Sequence, residues 1–521
     1  MKKPKEKHRN LTLNEAAVLF HVSSITIFNW VKEGLLTMDE DRCITEESIR
    51  HFKAKYAGKV KLQSRANKLL KDEHDPDEVS RLIQTELAGD AFDETICQRY
   101  EFMLSESYRN KEGIFYTPMP IVEDMLQDVA VDANALFLDP CCGCGNFLVE
   151  AIKAGVAPWN VYGFDTDPNA VLIARRRIKA LTGHDAPHVV CADFLQEASQ
   201  LDQRFDLVFT NPPWGKKLSK TDRKKLAARY HAGGSTDTCS LFLFSILSVL
   251  KPEAVVGLLM PESFFKIAVY EDARRTLLKE TLLQIKDYGK PFGNMYSAVS
   301  LVFRHTPSDE SHEVACCDNH QQHFRLQKSF LMMPRQNLNY WTKAPEMRLV
   351  EELMAQPHLL LKGHATWGLG IVTGNNAKMC KRSRRPGLKP VYRGKDILPG
   401  GLKQAELFVN PQDFPRFQQI SAMTMFQAPE KLIYRFISSD LVFYCDTKQR
   451  LILNSANMLV LDDDFPLTAS QLAEVLNSPL TNWLYKQLFN THKVLRGDLE
   501  MLPILTDSSL HGRFDLLNLD R

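Results

Sequence analysis

The segment FTNPPWGKK, residues 209–217, ends a run of strand-forming residues with an asparagine, two prolines and a tryptophan. Each proline removes a backbone donor and fixes its own φ, so the chain leaves its sheet after Thr210 as a stiff loop. Asn211 offers an amide that both donates and accepts, and Trp214 offers a broad flat face. A rigid polar clamp beside an aromatic platform suits a planar, amine-bearing ligand such as a nucleobase. A proline-rich turn over a half-buried tryptophan is the plainer reading of the same residues.

Three further groups precede this loop. LFLDPCCGCGNFLVEAI, 136–152, reads as a strand, a glycine turn and a helix, with Gly143 and Gly145 letting the backbone approach a ligand at the helix N-terminus. VYGFDTDP ends the next strand on Asp165, 22 residues after Gly143 and near the spacing at which an acid meets a ribose hydroxyl. VVCADF ends another strand near Asp193, where a carboxylate can accept from an adenine amine. Each aspartate alone can be a helix cap. The ordered set suits a nucleoside-containing cofactor.

These residues need a scaffold. From about 100 to 305 short β-rich runs (ALFLD, NVYGFD, HVVCA, FDLVFT, AVVGLLM, LLQIKDYG, SAVSLVF) alternate with helical stretches, which predicts an α/β sheet with helices on both faces. Residues 11–36 show two short helical blocks broken at HVSS, with Ser23 or Ser24 available as a cap. The charged stretch up to about 100, interrupted by DEHDPDE, reads as a helical linker. Beyond 330 irregular strands with Gly, Pro and basic clusters indicate a separate mixed α+β domain. The expected division is 1–55, 56–100, 101–320 and 321–521.

Bulk properties narrow the class. The 521 residues suffice for roughly three domains. With 65 Lys+Arg against 63 Asp+Glu, a net charge of +2, any nucleic-acid surface must be local. The 11 cysteines lack regular spacing, as expected for reduced thiols. The basic N-terminus has no apolar stretch behind it, and the run LFLFSILSVL falls short of the ~18 residues a membrane span needs. A cytoplasmic protein without membrane partners is expected.

DPCCGCGNF, GFDTDP, CADF and NPPW, in that order, resemble the cofactor and catalytic motifs of gamma-class amino-group DNA methyltransferases, with a Rossmann-like core using S-adenosyl-L-methionine. GIFYTP, 113–118, resembles the additional cofactor motif, with Thr117 at the methionine moiety. The resemblance implies cofactor contacts at Thr117, Asp139, Cys141, Gly143 and Gly145. It implies further ones at Asp165, Asp193, Phe194 and Asn211. Asparagine in the first catalytic position resembles the adenine-N6 branch. It implies that Asn211, Pro212, Pro213 and Trp214 form the catalytic loop. Trp214 and Phe292, the aromatic of KPFGNMYSAV, would stack on a flipped-out adenine in double-stranded DNA.

Pro140-Cys141 matches the Pro-Cys pair of cytosine-C5 enzymes, but it lies in the cofactor turn, so Cys141, Cys142 and Cys144 are read as small packing residues. No second ligand pair at zinc-finger spacing accompanies them, and no metal is expected. Lys216, Lys217, Lys220 and Arg223, with Lys224, Lys225 and Arg229 beyond them, follow the catalytic loop and suit phosphate contacts. A second basic cluster, KMCKRSRRPGLKP, contributes Lys378, Lys381, Arg382, Arg384, Arg385 and Lys389. With PVYRGKDI, KLIYRF, LNSANMLVL and LRGDLEMLPI it resembles the target-recognition domain of type II and type IIG restriction-modification enzymes. Residues 11–36 resemble an excisionase or MerR-like helix-turn-helix with Ala16, Ala17, Val22, Ile27 and Trp30 as core and His21 where glycine is usual. A plain helical interaction hairpin fits the same pattern.

No acidic pair followed by Glu-x-Lys stands in the first hundred residues, so methylation without cleavage is expected, in a bacterial or phage system with room for a separate cognate endonuclease. Two alternatives use the same features. A protein glutamine-N5 methyltransferase would need the same asparagine-proline clamp, and a DNA-binding regulator could sit on an inactive methyltransferase fold.

Overall fold

The computed structural model describes residues 10–20, 22, 24–32, 34–39, 42–56, 76–87, 92–104, 115–216, 218–292, 297–318, 321–507 and 509–510. His21, Ser23, Lys217 and the first two residues of GIFYTP lie outside them. The chain divides into two compact units, residues 1–232 with 236–260, and residues 233–235 with 261–521.

In the first unit five strands pair in parallel: β1 (Phe137–Asp139), β2 (Val161–Asp165), β3 (Val189–Cys191), β4 (Phe205–Thr210) and β5 (Leu250–Pro261). Their order is β3-β2-β1-β4-β5. All three residues of β1 and five of the six in β4 are buried, as expected of parallel strands covered on both faces. Strand order reverses between β1 and β4, and ligands bind outside the carboxyl ends of strands at such a reversal. Those two ends carry Asp139 and Asn211.

The helix Pro168–Thr182 follows β2 for legible reasons. Asp167 caps it by accepting from Asn169 N at 2.9 Å, Pro168 opens it, and Gly183 closes it at φ 75°. Its buried stripe is Ala170, Val171, Ile173, Ala174, Arg177 and Ile178. The apolar run noted above forms the helix Thr238–Leu247, capped by Asp237 and buried almost throughout. Among the described residues no helix is long and apolar enough to cross a membrane.

The stretch read as a linker is corrected from Pro76 onward. Helices Pro76–Glu86 and Thr95–Met103 place Val79, Ile83, Ile96 and Tyr100 in one apolar cluster with Cys144, Ala170 and Ile173. Arg81, Glu86 and Arg99 are exposed on this docked pair, and Arg176 Nη2 donates to the Leu87 carbonyl at 2.6 Å. At the N-terminus helices Leu13–Leu19, Ser24–Lys32 and Glu46–Tyr56 enclose Ala16, Ala17, Ile27 and Trp30, joined by Phe20 and Phe52, with Val22 half-buried at the edge. Thr12 and Glu15 form a capping box on the first of them.

The second unit holds β6 (Glu280–Asp287), β7 (Ala298–Pro307), β8 (Glu313–Asp318) and β9 (Gln321–Leu326), in the order β7-β6-β8-β9. Next come β10 (Ala365–Leu369), β11 (Lys389–Tyr392), β12 (Ile397–Leu398), β13 (Gly401–Leu402) and β14 (Leu407–Val409). The last four are β15 (Lys431–Arg435), β16 (Phe443–Asp446), β17 (Leu451–Ile452) and β18 (Ala456–Leu461). They form sheets β10-β18-β15-β16, β14-β11-β17 and β12-β13. On β15, Leu432 and Tyr434 enter one core and Ile433 the other, so the central sheet is buried on both faces by simple alternation.

Candidate active site

A cavity of about 230 Å³ opens at the carboxyl ends of β1, β2, β3 and β4. Asp139, Asp165, Asp193 and Asn211 all line it, together with Thr117, Cys141, Gly143 and Phe194. The glycine turn explains how backbone reaches it. Gly143 sits at φ 49°, and its N–H donates to Asp165 Oδ2 at 2.8 Å. A Cβ there would come within 2.7 Å of the Tyr116 ring. Gly145 begins the helix Asn146–Lys153 from φ 82°, where a Cβ would press on Ala174 at 3.0 Å.

The three aspartates are held differently. Asp139 is buried and accepts from Thr210 Oγ1 at 2.7 Å and Cys141 N at 3.1 Å. Burial pushes its carboxyl up to about 7 despite those bonds. Asp165 takes Gly143 N on one oxygen and Asp167 N on the other, at 2.9 Å. Burial raises it too, against the pull of its two backbone donors and Lys216. Asp193 caps the helix Phe194–Glu197 through Leu195 N, so capping and a place at the cavity coexist. Phe194 is buried against Phe164 and Phe242.

Asn211 is the distinctive group. Its Nδ2 donates to the Phe115 carbonyl at 2.8 Å, which fixes the orientation of the amide. Its Oδ1 is buried and has no hydrogen-bond partner among the described residues. A buried acceptor left unpaired costs roughly 1–3 kcal/mol, so the arrangement favours a donor brought in from outside. Pro212 is buried and Pro213 lines the cavity. Burial holds the Cys141 and Cys142 thiols protonated, and contact with Cys97 followed by burial does so for Cys144, as befits packing residues.

Other sequence candidates fall elsewhere. Trp214 is only 5% exposed; its Nε1 donates to the Leu259 carbonyl at 3.3 Å, and its ring lies 6.0 Å from that of Phe115. It packs under the loop and presents no open platform in this conformation. Phe292 is half-buried on the turn after β6, in the second unit. Lys216, expected at phosphates, lines the cavity. Lys220 and Arg223 are exposed on the helix Lys220–Arg229. Lys378, Lys381, Arg382, Arg384, Arg385 and Lys389 are all exposed in the second unit. Sequence reasoning missed Tyr116, Asn146 and Arg177. Only Arg177 carries a signal, a cation on the apolar stripe of the helix Pro168–Thr182.

The glycine turn, the acids at three successive strand ends and the reversed strand order make a site for a nucleoside-bearing cofactor, and the N-6 DNA Methylase family match at residues 91–328 makes that cofactor S-adenosylmethionine and the class a methyltransferase. The residues fit that cofactor: the cavity is lined by carboxylates and by backbone that only glycine allows, and it ends on the unpaired Asn211 oxygen. The TaqI-like C-terminal specificity domain matches residues 389–504. The chain is 39% identical over 390 residues to the type II methyltransferase M.VspI of Vibrio sp. (strain 343), covering 74% of this chain and 96% of that protein. M.HincII of Haemophilus influenzae is 25% identical over 181 residues, 34% of this chain and 33% of that protein. Among solved structures, that of a DrdV–DNA complex superposes with a TM-score of 0.54 at 12% identity, over 97% of this chain and 64% of that one. The chain belongs to the N-6 DNA methylase family and is a site-specific DNA methyltransferase acting on adenine N6. The protein-glutamine and inactive-regulator readings are not favoured.

Proposed function

We propose that Asn211 and Pro212 form the clamp that activates the adenine amine, and that the exposed basic residues of the second unit hold the double-stranded DNA. The observation that carries the first part is the Asn211 amide, fixed through Nδ2 and open at Oδ1. An exocyclic adenine amine is a poor nucleophile because its lone pair is delocalised into the ring. With Asn211 Oδ1 accepting one of its hydrogens and the Pro212 carbonyl the other, the nitrogen is drawn towards a tetrahedral geometry and its lone pair becomes available. When bound, S-adenosylmethionine supplies an electrophilic methyl group on a sulfonium. Asp165, Asp193 and the turn at Gly143 hold its nucleoside end, and Thr117 its methionine end. Two stiff prolines keep the acceptors still.

An amine hidden in a duplex must be flipped out, at a cost of a few kcal/mol that stacking and edge contacts offset. Trp214, packed in the structure, and Phe292 are the stacking partners that the motif resemblance suggests. Lys220, Arg223 and the cluster from Lys378 to Lys389 contact phosphates, and the domain containing the 389–504 match reads the target sequence. Residues 1–55 add a second DNA contact as a helix-turn-helix. Cleavage falls to a separate endonuclease, and the protein works in the cytoplasm.

The test is tritiated methyl transfer from S-adenosylmethionine into unmethylated genomic DNA, with cofactor affinity measured separately by calorimetry. Asn211→Ala is expected to lower transfer at least ~100-fold while cofactor affinity stays within a few-fold, because the lost group acts on the amine. Transfer at the wild-type rate by the variant would refute the clamp.

A further inference from the structure

The segment Phe115–Thr117 is held at both ends by side-chain amides. Asn211 Nδ2 donates to the Phe115 carbonyl at 2.8 Å, and Asn146 Nδ2 donates to the Thr117 carbonyl, also at 2.8 Å. Asn146 is the first residue of the helix that follows the glycine turn, and it lines the cavity. Its own orientation is fixed, because Arg177 Nη1 donates to Asn146 Oδ1 at 2.6 Å. An amide whose oxygen receives a guanidinium must present its NH₂ to the Thr117 carbonyl.

Arg177 stands in an unusual place for a cation. It occupies the buried stripe of the helix Pro168–Thr182 and is 5% exposed, a costly place for a cation. Its Nε lies 2.8 Å from Glu94 Oε2, and its Nη1 also lies 3.5 Å from the Cys144 carbonyl inside the glycine turn. Glu94 is 62% exposed, so the ion pair is open to solvent on one side and contributes little by itself. What the guanidinium does is set an amide. The chain of contacts therefore runs from Glu94 through Arg177, Asn146 and the Phe115–Thr117 segment to Asn211.

We propose that Asn146, oriented by Arg177, is a positioning residue for the methyl-transfer step: it pins the Thr117 end of the segment whose Phe115 end orients Asn211. This rests on Asn211 being the clamp. If the pin is released, Phe115 shifts, and the Asn211 oxygen loses its fixed aim at the amine while the protein keeps its fold.

Asn146→Asp isolates the effect. The replacement is isosteric and pairs with Arg177 at least as well, yet it has no donor for the Thr117 carbonyl and sets oxygen against oxygen there. Single-turnover methylation of unmethylated genomic DNA, at saturating S-adenosylmethionine and with enzyme in excess, is expected to fall about 10-fold or more, the scale on which small misplacements act. Cofactor affinity by calorimetry is expected to fall less than the rate does, Thr117 being a proposed cofactor contact whose carbonyl alone is disturbed, and the melting temperature to fall by no more than several degrees, the effect of losing one part-buried hydrogen bond.

A wild-type single-turnover rate would overturn the proposal. So would a loss of rate matched by an equal loss of cofactor affinity, which would make Asn146 a cofactor ligand only. Should Asn146→Asp fail to fold, Arg177→Met, which removes the orienting group and keeps its bulk, is expected to lower the rate in the same direction, and an unchanged rate would be equally decisive. Asn211→Ala run in parallel separates the two readings: if it stays active the clamp itself falls, whereas an inactive Asn211→Ala beside a silent Asn146→Asp removes only the positioning role.

Discussion

At the scale of single residues, Asp139 shows how burial changes a side chain that sequence alone presents as an ordinary carboxylate. Its folded-state pKa of about 7 lies above the ordinary value of 3.8. As pH rises the unfolded chain therefore releases this proton first. The stability linked to protonated Asp139 is fully present below about 3.8 and is lost as pH rises through about 7, at up to ~1.4 kcal/mol per pH unit. Asp139→Asn cannot titrate. Denaturant unfolding of the cofactor-free protein should thus show the wild type gaining on the variant as pH falls from 7 towards 4. A difference between the two that does not move with pH would place the Asp139 carboxyl near its ordinary value. Asn211 drew attention because it stands at a strand end behind three ordered cofactor-like motifs; the asparagine and two prolines alone fit a plain turn equally well. Asn146 drew none, since an asparagine opening a helix is commonplace until its two partners are seen in space.

At the scale of elements, the cofactor turn combines a backbone requirement with a packing one. Gly143→Ala forces φ 49° on a residue with a Cβ, a strain of about 1–3 kcal/mol, and drives that Cβ into Tyr116. The loss of the turn that aims Gly143 N at Asp165 should weaken S-adenosylmethionine binding at least ~10-fold by calorimetry, each 1.4 kcal/mol being a factor of ten. The helix Thr95–Met103 supports the same turn from outside. Tyr100 OH donates to Asp167 Oδ2 at 2.5 Å, and the Asp167 N–H donates in turn to Asp165. Tyr100→Phe leaves that carboxylate oxygen one donor short and is expected to cost about 1–2 kcal/mol in denaturant unfolding. An effect below about 0.3 kcal/mol would count against the support role. The seven strand runs between 135 and 303 were readable from their β-branched and aromatic content. The helices at 76–103 were misread as a linker because their short apolar stripes are interrupted by charge, and a stripe that docks looks no different from one that does not until its partner, the helix Pro168–Thr182, is in view.

For the whole molecule, near-neutral charge concentrates the burden of DNA binding on local clusters. Lys381, Arg382, Arg384 and Arg385 are exposed together, close in sequence to the start of the specificity-domain match at 389. Replacing all four by alanine should weaken binding to any duplex alike and lower the slope of log affinity against log salt by up to about 0.9 for each phosphate no longer neutralised. An unchanged slope would assign the phosphates to other cations. The C-terminal arrangement was not legible beyond its mixed α+β character, because strands β10 to β18 meet in sheets of mixed order that no local pattern specifies.

The proposed chemistry turns on a buried asparagine oxygen kept free for an adenine amine, and its most direct test is nucleoside mass spectrometry of unmethylated DNA incubated with the protein and S-adenosylmethionine, with Asn211→Ala alongside. N6-methyladenine as the modified base, present with the wild type and missing with a variant that still binds the cofactor, is the predicted result. Methyl groups on cytosine, or N6-methyladenine formed equally by both proteins, would contradict it.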